Sequence, residues 1–346
     1  MTATATTTRA CVPPAASGRR ILTGDRPTGP LHLGHYFGTL HNRVRLQREG
    51  ADLLLVIADY QVITDRDRAD ELGLRSIELV LDYLACGIDP ATSTIFVHSA
   101  VPALNQLMLP FLSLVSAGEL DRNPTVKQES ALAGRRAVSG LMLTYPVHQA
   151  ADILFCKADL VPVGRDQLPH LELARAIARR FNDRYGELFP LPQALLGEVG
   201  VLAGLDGRKM SKSLGNAIAL TDPPDRVAAK IKGARTDSER AISFEPRRRP
   251  EVANLLRLVG LCLQQLPAEV ADRIGNGGGQ ELKRTATAAI NELLEPIQRR
   301  RAGFDRAEAA RILSDGCHQA RQIADRTLAE VNTAMGMDYG GLYRSR

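Results

Sequence analysis

Apolar residues in the first two thirds of the chain gather in short continuous runs that alternate with stretches of helical period. Ile21-Leu22-Thr23-Gly24 reads as a short strand ended by a glycine turn, and residues 31–47 carry the spacing of a helix. Residues 53–58 form an unbroken apolar run of strand length, as expected of a strand covered on both faces. Residues 71–86 have helical periodicity and stop at Gly87, and residues 94–98 read as a third strand. A helix-rich stretch over 103–143, a strand at 160–163 and a helix over 168–181 follow. Strands alternating with helices predict an α/β fold around a mainly parallel sheet. After Pro223-Pro224 the strand runs cease, and helices are expected over 225–233, 252–265, 281–300 and 307–335, with Gly277-Gly278-Gly279 separating two of them.

Composition adds limits to this pattern. With 44% hydrophobic and 24% charged residues in 346, the chain has material for one large or two modest cores and no excess that would suggest disorder or fibre. No apolar run approaches the ~20 residues that span a bilayer, so no membrane span is expected. The net charge of +5 lies entirely in the C-terminal third: residues 1–222 carry 23 basic and 23 acidic side chains, residues 223–346 carry 21 and 16. A locally basic helical module suits a polyanion partner, or is a solvated arginine-rich surface. Five scattered cysteines without a C-x-x-C pair fit a reducing, cytoplasmic compartment and exclude a cysteine zinc site. Residues 1–20 lack an apolar core of the secretory type and read as a flexible tail, with a transit peptide as the alternative.

Two constellations carry chemistry. Thr23-Gly24-Asp25-Arg26-Pro27-Thr28-Gly29-Pro30-Leu31-His32-Leu33-Gly34-His35 sits where a strand hands over to a helix. Such a helix N-terminus offers unpaired N–H groups and partial positive charge to phosphate. The spacing predicts that the His32 and His35 imidazoles share one helical face and both donate to phosphate oxygens. Lys209-Met210-Ser211-Lys212-Ser213, flanked by glycines, holds two of only seven lysines. A mobile basic loop of this kind can close over a triphosphate and neutralise charge on departing pyrophosphate.

His32-Leu33-Gly34-His35 resembles the HIGH motif of class I aminoacyl-tRNA synthetases, and residues 209–213 match their KMSKS motif. The order and separation are similar to the subclass that activates tryptophan and tyrosine, over about residues 21–335. Tyr145-Pro146-Val147-His148-Gln149-Ala150-Ala151-Asp152 and the stretch from Val161 through Gly164, Asp166, Gln167 and His170 resemble the tryptophan enzymes. The resemblance implies a Rossmann-like catalytic domain over 21–222 with a helical insertion near 103–143, and a helical anticodon-binding module over 223–346. It also implies a homodimer with the insertion helices at the interface. His32, His35, Lys209 and Lys212 would be the catalytic set. ATP, carrying Mg²⁺ on its phosphates, would meet Asp25, Arg26, Thr28, Gly34, Gly164, Asp166, Gln167, Leu202, Met210, Ser211 and Ser213 as well. No protein metal site is expected.

The side chain at residue 22 separates the two amino acids. Tyrosine enzymes usually place a tyrosine there to meet the substrate hydroxyl. Leu22 cannot, and an unpaired buried phenol would cost about 1–3 kcal/mol. An indole needs a wide apolar slot and one acceptor for its N–H. By resemblance Asp152 is that acceptor, and Leu22, Gly24, Gln61, Tyr145, Gln149 and Gln167 complete the L-tryptophan pocket. Arg26, Gln149 and Gln61 depart from the Gln, Met and His common at these positions in bacterial tryptophan enzymes, which implies a divergent branch whose pocket treats tryptophan mimics differently. The expected activity is formation of tryptophanyl-adenylate and its transfer to tRNA(Trp). Arg247-Arg248-Arg249 and Arg299-Arg300-Arg301 are candidate tRNA backbone contacts or solvated arginines. Tyrosine specificity, a non-catalytic synthetase paralogue and a shorter nucleotidyltransferase are the competing readings.

Overall fold

The apolar runs become the strands of one sheet. The computed structural model describes residues 16–64, 71–124, 126–127, 139–164, 167–196, 202–208, 210–211 and 214–339. β1 (Arg20–Asp25), β2 (Asp52–Ile57), β3 (Ser93–Val97), β4 (Leu160–Val163) and β5 (Gln193–Leu196) pair in the order β3-β2-β1-β4-β5. Every pairing is parallel, with Leu22 opposite Leu54, Gly24 opposite Val56 and Ile21 opposite Leu160. The α/β parallel architecture is thus as expected. The direction of strand addition reverses between β1 and β4, so their C-terminal ends flank the crevice in which open α/β sheets bind ligands. β5 was not anticipated: it is a four-residue edge strand in which Leu195 alone is buried, preceded by prolines that read as loop.

The helix expected over 31–47 forms in three pieces. α1 (Leu33–His35) passes through a π-helical turn (Tyr36–Leu40) into α2 (His41–Arg48). Such π turns recur beside functional sites. α3 (Leu72–Cys86) stops where Gly87 turns to φ 103°, a conformation that favours glycine. The helix-rich stretch expected over 103–143 begins with α4 (Pro102–Leu112) and α5 (Ala117–Asp121). Residues 125 and 128–138 of that expected stretch lie outside the described residues. α6 (Gly140–Phe155), capped by the Ser139 hydroxyl, runs past the expected end at 143 and places Tyr145, Gln149 and Asp152 on one helix. α7 (Leu168–Tyr185) follows β4.

The C-terminal part is helical, as the pattern required: α8 (Pro224–Lys232), α9 (Pro250–Leu263), α10 (Pro267–Ile274), α11 (Gly278–Ala302) and α12 (Arg306–Ala334). The eight-residue α10 was not foreseen, and Gly278-Gly279 open α11 instead of lying before it. α12 packs on the sheet at β3, and α11 packs on α3, α8 and α9. A Cβ on Gly316 of α12 would stand 1.9 Å from the Ile95 carbonyl of β3, so only glycine lets the helix approach so closely. The Thr327 hydroxyl donates to the Phe155 carbonyl at 2.6 Å, and the Arg300 guanidinium to that of Ala85 at 2.7 Å. One continuous buried apolar cluster therefore extends from Ala16 to Val331. Among the described residues no helix is long and apolar enough to cross a membrane. Of the expected site residues, Asp166, Lys209, Lys212 and Ser213 lie outside the described residues, as do residues 1–15 of the tail.

Candidate active site

The site is built around the end of β1. A Cβ on Gly24 would meet the Val56 carbonyl at 2.0 Å, so β1 can lie in register against β2 there only as glycine. Gly29 takes φ 126°, which bends the chain back toward α1. His32 is extended (φ −130°, ψ 172°) and caps α1: its Nδ1 accepts from the Gly34 N–H at 3.1 Å. The His32 N–H in turn donates to Nδ1 of His35 at 3.3 Å. The two imidazoles come together as expected, with ring centroids 3.9 Å apart, but as a reciprocal cap instead of neighbours on a helical face. Because each Nδ1 accepts, each neutral ring carries its proton on Nε2, the donor form needed for a phosphate oxygen.

A buried cation braces this turn. Arg43 of α2 is 1% exposed; it donates to Thr23 Oγ1 (3.1 Å), the Gly24 carbonyl (3.1 Å) and Asp25 Oδ2 (2.5 Å). The Tyr83 hydroxyl donates to the same oxygen at 2.8 Å. Burial pushes the Asp25 carboxyl up, but the charge of Arg43, the nearby His35 ring and the two hydrogen bonds outweigh it and hold it at about 2. Asp25, expected at ATP, thus has one oxygen already committed to the fold. Arg26 beside it is exposed.

The second constellation docks directly on the first. The Leu33 N–H donates to the Ile218 carbonyl (3.0 Å) and the Leu220 N–H to that of Leu31 (2.9 Å), an antiparallel bridge tying residues 218–220 to the first motif. Met210 is buried, with its sulfur 3.2 Å from where a Cβ on Gly34 would stand. The loop is organised by Asn216, whose Oδ1 accepts from the Ser211 N–H at 2.8 Å and whose amide donates to Asp206 at 2.7 Å. That amide, with Arg208 adding to it, holds the Asp206 carboxyl at about 2. Leu202 receives the Met210 N–H on its carbonyl at 3.3 Å. Asn254 of α9 and Gln298 of α11 hold the carbonyls of Gly204, Leu220 and Asp222, so the C-terminal helices carry both ends of the loop.

Across the crevice, α6 and the turn after β3 form a polar cluster in apolar surroundings. Asp152 is 2% exposed and His98 fully buried, with Nδ1 of His98 2.9 Å from Oδ1 of Asp152 but not aligned for a hydrogen bond. His148 stacks on His98 at 3.8 Å and 17°, and its Nε2 meets Asn105 Oδ1 at 2.9 Å. Burial and then the neighbouring His98 lower the His148 imidazole to about 4, so it is neutral at pH 7. Tyr60 stands against both rings, next to half-buried Gln61. The Tyr145 hydroxyl lies 3.2 Å from Nε2 of His170. Gly164 closes β4 and accepts the Gln167 N–H at 3.0 Å; Leu22 is buried within β1.

The arrangement joins a helix start capped by two imidazoles, a loop that docks on it and a buried polar cluster, and the comparisons bear on what it is. The family of tRNA synthetases class I (W and Y) matches residues 16–295. The tryptophan–tRNA ligase of Treponema pallidum is 44% identical over 329 residues, 92% of this chain and 97% of the relative. Among solved structures, the tryptophanyl-tRNA synthetase of Mycoplasma pneumoniae superposes with a TM-score of 0.79 at 31% identity, covering 92% of this chain and 97% of that one. That of Campylobacter jejuni, solved with ADP and tryptophan, gives 0.80 at 29%, covering 92% and 99%. The chain belongs to the class I tRNA synthetases of the W and Y family.

Within this synthetase several residues that order the site carry no motif letter. Arg43 reads in sequence as one of a helix's many arginines, and only its position beneath the β1 turn reveals its work. His98 and His148 lie 50 residues apart and meet because β3 and α6 converge. Asn216 was visible only as the residue after a loop glycine. The arginine runs are partly spent on the fold. Arg249 is buried against Asp237, and Arg301 bridges Glu78 (2.5 Å) and Asp82 (2.9 Å). Arg299 is exposed and pairs with Glu295 of its own helix; Arg247 is exposed too.

Proposed function

We propose that this synthetase is a tryptophan–tRNA ligase. It activates L-tryptophan with ATP to tryptophanyl-adenylate and pyrophosphate, then transfers tryptophan to the 3′ end of tRNA(Trp). The observation that carries the choice of amino acid is Asp152 Oδ1, a buried acceptor without an aligned hydrogen bond among the described residues. A buried carboxylate oxygen in that state is costly unless a donor reaches it, and an indole N–H is a donor with no lone pair of its own to satisfy. A phenol would also need a partner for its oxygen, which Leu22 does not offer.

Activation is attack of the tryptophan carboxylate on the α-phosphorus, with pyrophosphate leaving, so positioning and charge stabilisation do most of the work. His32 and His35 donate from Nε2 to ATP phosphate oxygens, while Lys209 and Lys212 neutralise the departing pyrophosphate. Gly34, Met210 and Ser211 seat the nucleotide, with Arg26, Thr28, Gly164, Asp166, Gln167, Leu202 and Ser213 around it. Gln61, Tyr145, Gln149 and Gln167 complete the amino-acid pocket with Leu22 and Gly24. Mg²⁺ travels on the ATP phosphates and shields their charge. The C-terminal helices serve as the anticodon-reading module of a cytoplasmic homodimer, with exposed Leu109 of α4 at the partner contact. ATP–pyrophosphate exchange tests the reading: tryptophan, not tyrosine, is expected to support it. Exchange with tyrosine alone overturns the pocket argument, and no exchange in folded protein overturns the enzyme.

A further inference from the structure

His98 is fully buried, yet among the described residues neither of its ring nitrogens makes an aligned hydrogen bond to the fold. It is therefore not spent on capping a helix or closing a turn, which is what buried histidines usually do. Its polar neighbour is the Asp152 carboxylate, 2.9 Å from Nδ1. The ring is clamped in place instead by its surroundings: His148 lies flat against it at 3.8 Å, and Tyr60 meets it edge-on at 5.5 Å. His148 is itself fixed, because its Nε2–H donates to Asn105 Oδ1. The clamp comes from three separate elements, the turn after β2, α4 and α6, and converges on one imidazole beside one carboxylate.

We propose that His98 is a positioning residue: it holds the Asp152 carboxylate in the orientation that receives an indole N–H, and thereby sets discrimination against ring analogues that lack that N–H. The inference rests on the reading of Asp152 given above. A terminal carboxylate rotates over a broad, roughly two-fold torsion, so an acceptor with no neighbour would present either oxygen in many directions. An imidazole edge held 2.9 Å from Oδ1 restricts that rotation and leaves the carboxylate presented to the pocket in one orientation. Second partners of this kind orient ligand-contacting groups throughout protein sites. His148 completes the device by staying neutral while it lies flat against the His98 ring.

The test uses the full-length protein, ATP–pyrophosphate exchange, and two amino acids: tryptophan and its benzothiophene analogue, in which sulfur replaces the N–H. In His98→Ala the KM for tryptophan is expected to rise about tenfold, the size expected when a hydrogen bond to a charged group is weakened. The KM for ATP and the KM for the analogue should stay within about twofold, so discrimination falls by nearly the same tenfold. His98→Asn, whose amide N–H stands near the position of Nδ1, should restore most of it. Should His98→Ala fail to fold, His98→Gln replaces it, since its amide lies near Nε2 and should not rescue. A loss that falls equally on both amino acids, or an asparagine variant no better than alanine, overturns the proposal. Asp152→Ala separates the two levels. If it leaves discrimination unchanged, the reading of Asp152 fails; if it abolishes discrimination while His98→Ala does not, only the role of His98 fails.

Discussion

Replacing Arg43 by methionine keeps an unbranched apolar stem in the core and removes the guanidinium. Three acceptors then lose their donor: Thr23 Oγ1, the Gly24 carbonyl and Asp25 Oδ2. Breaking a buried pair by removing one partner typically costs about 3–5 kcal/mol. The structure supports that range from a second direction. Asp25 is held at about 2 against an ordinary 3.8. A depression of that size corresponds to about 2.5 kcal/mol of native-state stabilisation shared among Arg43, His35 and Tyr83. The orphaned Gly24 carbonyl adds about 1–3 kcal/mol. Because the Asp25 carboxyl is depressed, its contribution is complete above pH 4 and is lost as the pH falls toward 2. In the variant, burial is opposed only by His35 and the Tyr83 hydroxyl and Asp25 takes up a proton at higher pH, so the two proteins should converge in stability as the pH falls from 7 to 5. Guanidinium unfolding followed by far-UV circular dichroism measures this, since the chain contains no Trp to report by fluorescence. A loss under about 1 kcal/mol at pH 7, or a gap that does not change with pH, would refute the reasoning.

Three further outcomes follow from single contacts. Gly316→Ala should raise stability by about 1 kcal/mol on helix propensity alone, yet its Cβ would stand 1.9 Å from the Ile95 carbonyl. The expected result is a loss of about 3 kcal/mol or more, read as a fall in melting temperature; the sign decides. Gly34→Ala presses a methyl to 2.9 Å of the His32 ring and 3.2 Å of the Met210 sulfur. It should lower exchange by about 10–100-fold with the melting temperature nearly unchanged, and an active variant would mean that the docking of Met210 is incidental. His148, at about 4 when folded against 6.5 ordinarily, stays neutral while the unfolded chain takes up a proton, so stability falls as the pH drops from 6.5 to 4. His148→Leu should flatten that slope in unfolding midpoints between pH 7 and 5; an unaltered slope would place the titration elsewhere.

What the chain reveals unaided depends on how local the cause is. The α/β order, the glycine stop of α3 at Gly87 and the length of α12 were legible because each follows from a run, a period or a single φ requirement within a few residues. The first motif was also legible, yet its geometry was read as two imidazoles on a helical face. An extended His32 whose Nδ1 caps α1 depends on the bridge between Leu31–Leu33 and Ile218–Leu220, nearly two hundred residues away. Short edge elements failed for a related reason. β5 buries one side chain, so no alternation marks it, and it exists because β4 offers an unpaired edge.

Charged and polar core residues were the hardest to read, because their sequence context resembles that of surface residues. Arg43 lies between Asn42 and Val44 in a stretch with Arg45 and Arg48, and nothing local separates the buried arginine from the solvated ones. The same holds for half-buried Arg301, whose run suggested a polyanion surface: it pairs with Glu78 and Asp82 of α3, while exposed Arg300 donates to the Ala85 carbonyl of that helix. The asymmetry has a physical basis. A buried apolar residue is specified by its neighbours along the element, whereas a buried charge is specified by a partner on another element, without which it would not be tolerated. The candidate site is assembled from such cross-element partners, Asp25 with Arg43 and Asp152 with His98. Motif letters therefore point to this synthetase's candidate site, while the buried partners around it emerge only once the fold has brought β1, β3, α2 and α6 together.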